Sequence, residues 1–127
     1  MMDMTLQILV GLATLMLTGL GIMSMFAPHK MIANFALEPV GKAGLNTIRS
    51  VIGGLFLASV TMLALGLISG DTEGYFFVAI IMLAVAVGRV VGLALDGFDK
   101  AVIPPLLLEV VIASVLLFAH MKNGGFY

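Results

Sequence analysis

The chain has 127 residues, 61% of them hydrophobic and 10% charged, against about 45 to 50% apolar and about 25% charged in soluble domains. Such a composition excludes an ordinary water-soluble fold, and the length limits the chain to one domain, residues 1–127. Net charge is −1 with the six basic residues dispersed, so the clustered Lys and Arg that nucleic acid requires are missing. The absence of cysteine removes disulfides, thiol chemistry and thiolate metal sites, and leaves the redox compartment undecided.

A helix needs about 20 mostly apolar residues to cross a bilayer core, and four stretches qualify. The first spans residues 5–26 and is stopped by Pro28, with His29 and Lys30 marking an interface. Its apolar run from Thr5 to Ala27 is longer than the roughly 7 to 15 residues of a signal h-region, and Asp3 is the only early charge, so it is expected to be a retained span. "HKMIANFALEPVGKAG" follows, amphipathic enough for a short interfacial helix and broken by Pro39 and Gly41 before the next span.

The second span is expected at residues 45–69, with "SGDTEG" as the turn after it. The third covers 75–95, where Tyr75, Phe76 and Phe77 read as an interfacial aromatic belt. "DGFDK" makes a tight connection, Pro104 and Pro105 fit the first turn of a fourth span at 103–120, and "MKNGGFY" reads as a frayed tail. Short loops imply an all-α membrane protein, an up-down-up-down bundle of four transmembrane helices. Lys30, Lys42 and Lys100, with Arg49 close by, fall on one face; Lys122, Asp3, Asp71 and Glu73 fall on the other. Because cytoplasmic loops carry the basic excess, both termini are expected outside, in the periplasm of a bacterial inner membrane.

Charges within the spans are few. Arg49, Arg89 and Glu109 each lie about five to seven residues from one face, which at about 1.5 Å per residue puts all three near ~7 to 10 Å deep. A charge at a span centre costs roughly 2.5 to 3.5 kcal/mol, so the three are expected to face one another, with Glu109 reaching both arginines. Asp96 can neutralise the second arginine, and Asn46 and Ser50 can fill leftover donors beside Arg49. In "GRVVGLALDG" the stripe Ala84, Gly88, Gly92, Asp96 has the small-xxx-small spacing of close helix packing, and Gly53 and Gly54 offer a matching flat surface.

Three roles suit such a cluster: a clasp fixing helix register, a site for an anionic or polar headgroup, or proton transfer through Glu109. His29 and His120 lie at span ends without a partner at ligand spacing, and the ten Met residues are scattered, so neither a metal nor another cofactor is expected. The nucleophile elbow, P-loop, HExxH and dinucleotide fingerprints are missing.

"NTIRSVIGGL", "GRVVGLALDG" and "PPLLLEVV" together resemble a family of small bacterial membrane proteins known only as a domain of unknown function, similar in architecture to the DoxX-like four-helix group. The resemblance covers about residues 5 to 120, implies a four-helix inner-membrane protein and points to Asn46, Arg49, Gly53, Arg89, Asp96 and Glu109. Small multidrug transporters carry a glutamate in the first span, which this chain lacks, and the Arg, Asn, Glu and His motif of glutathione-using membrane enzymes is not found. The expected function is a non-enzymatic inner-membrane protein that binds a small amphiphile or lipid headgroup, or serves as an accessory subunit of a membrane complex. Its partners would be membrane lipids, further copies of itself or a larger complex. The alternatives are a small proton-coupled transporter using Glu109 and an enzyme acting on a membrane-embedded substrate.

Overall fold

Backbone polar groups have no water to bond in hydrocarbon, so a crossing chain must satisfy them within a helix or a closed barrel. A computed structural model, which describes residues 4–122, takes the helical route throughout, with no strand among the described residues. Asp3 and residues 123–127 of the tail, which entered the orientation count and the frayed-end reading above, lie outside the described residues.

The helices are α1 (Met4–Phe26), α2 (Pro28–Phe35), α3 (Gly41–Thr47), α4 (Gly53–Ser69), α5 (Glu73–Asp96) and α6 (Ile103–Lys122). A wide π turn, Ile48–Ile52, joins α3 to α4, and a 3-10 turn, Lys100–Val102, precedes α6. Four segments are long and apolar enough to cross a membrane: Met4–Phe26, Gly41–Ser69, Glu73–Asp96 and Lys100–Lys122. Hydroxyl groups inside these spans bond to their own helix: Thr14 donates to the Val10 carbonyl at 2.7 Å and Ser24 to that of Leu20 at 2.7 Å. Such back-bonding satisfies a polar side chain where no water is at hand.

Local chemistry sets the boundaries. Pro28 opens α2, and Ala36, in the left-handed region at φ 55°, ends it. Its buried Met31 and Ile32 pack on Ile48, Met23, Ile52 and Phe56, while His29 and Lys30 stay exposed, as an amphipathic segment should be arranged. The second span begins at Gly41, earlier than the expected residue 45, because Pro39 breaks the chain and α3 runs on through the π turn without interruption. The third begins at Glu73 instead of 75: the Asp71 carboxylate accepts from the Glu73 backbone N–H at 3.1 Å and closes the turn early. Asp99 does the same for Ala101 at 2.9 Å, and Pro104 and Pro105 sit in the first turn of α6.

Along the bundle α1 packs most extensively on α4 and α5 on α6, with sparser contact between α4 and α5 and between α1 and α6. In lipid, helices associate through packing and hydrogen bonds, not through exclusion of water, so close backbone approach matters. It occurs at Gly21, where an added Cβ would fall 2.7 Å from the Leu57 side chain, and at Gly74, 3.0 Å from Met62. It occurs again at Gly66, which lies under the Tyr75 ring, and at Gly53 against Met25 of α1. The stripe expected to pack on α4 does not do so: nothing stands within 4 Å of a Cβ added at Gly88 or Gly54, and Gly92 meets only Asp96 of its own helix.

The main core joins Val10 and Leu17 of α1, Leu63 of α4, Tyr75 and Val78 of α5 and Leu116 of α6. It gathers residues from the start of α1, the start of α5 and the end of α6. Tyr75, expected in an interfacial belt, is instead 0% exposed and belongs to this core, whereas Phe77 faces outward.

Candidate functional site

The opposite half of the bundle is looser. An internal cavity of about 320 Å³ opens there, lined by Met16, Leu17 and Leu20 of α1, Met31 and Leu37 at and after α2, Ile52 to Ser59 of the second span, Ile81 to Arg89 of α5 and Pro105 to Ile112 of α6. Almost every lining group is aliphatic. The polar exceptions are Ser59, whose hydroxyl donates to the Leu55 carbonyl at 2.9 Å, and two charged side chains, Arg89 and Glu109.

Arg89 Nε donates to Glu109 Oε1 at 2.7 Å, with the two side chains 25% and 14% exposed. This is the one ion pair among the described residues. It joins α5 to α6 across the short Gly97–Asp99 connection, the pairing expected from their common depth. The bond is single, so it leaves both terminal nitrogens of the guanidinium, with four N–H donors, and the second carboxylate oxygen without a partner in the chain.

Arg49 does not join the pair. Its Nη1 donates to the Met25 carbonyl at 2.5 Å and its side chain is exposed. Met25 lies in the last turn of α1, whose terminal carbonyls lack helical partners and carry partial negative charge, so Arg49 caps that helix. The π turn carries Arg49 to this position, and the three-charge layer expected from depth alone is reduced to two.

Asp96 ends α5 fully outside the cluster, exposed and without an ion pair to Arg89. Asn46 and Ser50 are exposed too, and the Ser50 hydroxyl donates to the Asn46 carbonyl at 2.7 Å, a bond within its own helix. Neither reaches Arg89 or Glu109. Gly53 serves the contact between α1 and the second span, and Gly54, Gly88 and Gly92 make no contact between helices.

At the far end the structure brings together two residues the sequence did not pair. Thr72 Oγ1 lies 2.8 Å from His120 Nδ1, both side chains are buried at 3% and 6% exposed, and the Phe76 ring stands 5.6 Å from the imidazole. His120 was read as a ring at ease at the interface and is instead enclosed. The available signal was topological: the turn after the second span and the end of the fourth must share one face. Among the described residues no three His, Asp or Glu side chains converge as metal ligands would.

Four spans, a short amphipathic helix and an ion pair on the wall of an apolar cavity define a multi-pass helical membrane protein. The chain belongs to the family described as a domain of unknown function, DUF4345, whose model matches residues 5–120. No curated protein and no solved structure matches it.

Proposed function

We propose that this is a non-enzymatic membrane protein that holds a small amphiphile, with the apolar part in the cavity and the polar head at Arg89 and Glu109. The observation that carries the reading is that the one ion pair among the described residues sits on the wall of an apolar cavity. Side chains around a void lose dispersion contacts, and an apolar occupant restores them. Arg89 and Glu109 supply the few placed polar groups that fix orientation in otherwise apolar pockets. The free guanidinium fork suits planar recognition of an oxygen-bearing head.

Several finer features belong to the same reading. The four spans cross in alternating directions, supported by contacts that tie the end of one to the start of the next: Met25 to Gly53, Gly66 to Tyr75, and Arg89 to Glu109. The membrane is a bacterial inner membrane with both termini on its outer face, supported by Lys30, Lys42 and Lys100 lying together on the other side. The four-helix plan and the three quoted segments favour kinship with the DoxX-like group.

Native mass spectrometry of the protein extracted in mild detergent tests the function. The expected result is a retained lipid or metabolite that is lost in Arg89→Ala; an empty wild-type bundle overturns the reading. A proton-coupled transporter is less well supported, because among the cavity-lining residues only Arg89 stands beside Glu109 to relay a proton. Flux in reconstituted vesicles that disappears in Glu109→Gln would replace the present reading with that one. Enzyme chemistry in the cavity has less support, since the one hydroxyl among its described lining residues, on Ser59, is bonded to its own helix.

A further inference from the structure

We infer that the head of the bound amphiphile is uncharged and both donates and accepts hydrogen bonds, as in an acylglycerol. This deepens the amphiphile reading above and rests on it.

Charge decides the head. Among the described residues Arg89 and Glu109 are the only charged side chains lining the cavity, and their formal charges cancel. An anionic head would leave one uncompensated negative charge against the free Glu109 oxygen, in surroundings too apolar to screen it. A cationic head would meet the guanidinium in the same way. An uncharged head that carries hydroxyl groups can accept from the free guanidinium N–H donors and donate to the unpartnered carboxylate oxygen at once. The half-used geometry of the pair, one bond where a guanidinium and a carboxylate can make two, is what leaves both functions open.

The tail is set by the lining, which is apolar apart from Ser59, Arg89 and Glu109, and 320 Å³ has room for an alkyl chain of at least about ten carbons. Leu55 and Val85 line the cavity and also face outward, as do Leu37 and Leu108, so the cavity opens to the outside of the bundle.

The test compares two ten-carbon probes, 1-decanoylglycerol and decyl phosphate, added to the full chain in amphipol and read by native mass spectrometry. Amphipol is needed because common alkyl glycoside detergents are themselves uncharged single-chain amphiphiles. Wild type should retain one 1-decanoylglycerol per chain, with at least tenfold preference over decyl phosphate. Glu109→Gln makes the site positive and should reverse that preference. Val85→Trp, on an outward-facing wall position, should fill the opening and abolish retention without unfolding the bundle. If wild type prefers decyl phosphate and loses it in Arg89→Ala, the uncharged head is wrong while the amphiphile site stands. If neither probe is retained, or Val85→Trp retains both as wild type does, the head assignment and the site fall together.

Discussion

The two ends of this bundle are built from the same aliphatic residues and differ in how they are closed. At the Thr72 end, glycines let the helices approach, Tyr75 lies on Gly66, and a hydrogen bond between two buried side chains ties the turn before α5 to α6. At the Arg89 end the helices leave a cavity of about 320 Å³ and the polar tie is an ion pair with unused valence. In lipid, where water does not push helices together, small residues and satisfied polar pairs decide where a bundle is tight. Gly21 and Gly53 still hold α1 to the second span in the other half, so what sets that half apart is its half-satisfied pair and its room for a guest.

Substitutions at matched positions break or sharpen this contrast, each read by thermal unfolding in one detergent. The largest difference should come from two leucines on α4. Leu63→Ala empties a position that is 0% exposed and should lose about 2 to 3 kcal/mol. Leu55→Ala, at 55% exposure on the cavity wall, should change stability by less than about 0.5 kcal/mol. Equal losses would mean that the two halves are equally packed.

Next in size, Glu109→Ala leaves a guanidinium unpaired inside the bundle and should lose about 2 kcal/mol, discounted because Arg89 is a quarter exposed. The double variant Arg89→Leu with Glu109→Leu should recover most of that stability and still fail to retain a ligand, separating clasp from site. Gly66→Ala places a methyl in the Tyr75 ring and should lose about 1 to 3 kcal/mol. Gly88→Ala, with nothing within 4 Å, should be neutral or slightly stabilising. Thr72→Val removes the bond to His120 and should lose about 1 kcal/mol.

Much of the fold was legible because crossing a membrane demands long apolar runs, and prolines and glycines punctuate them visibly. The amphipathic α2 and the proline start of α6 follow from residue type alone. The pairing of Arg89 with Glu109 was legible from depth, since two charges at one level on adjacent spans have few other places to go. Depth, however, says nothing of direction around a helix axis. Arg49 was therefore grouped with the pair, although the π turn it sits in aims it at the end of α1. The same ambiguity misled the reading of Gly88 and Gly92: their spacing describes a stripe able to pack, and rotation of α5 decides whether anything packs there. The cavity was not legible at all, because a void is what four helices fail to fill jointly and no single segment records it.

The unbroken length of the second span bears on how the protein sits in its bilayer. Gly41–Ser69 has 29 residues, about 43 Å at 1.5 Å per residue, against a hydrocarbon core of about 30 Å. Tilts of transmembrane helices reach about 40°, which still leaves this one overlong. Its opening turns, where α3 buries no side chain, therefore stand among the headgroups. Arg49, eight residues along, falls at the boundary between acyl tails and phosphates, where a cation is at home. A thicker bilayer would swallow more of α3 and a thinner one less, so the molecule takes up changes in membrane thickness at that end.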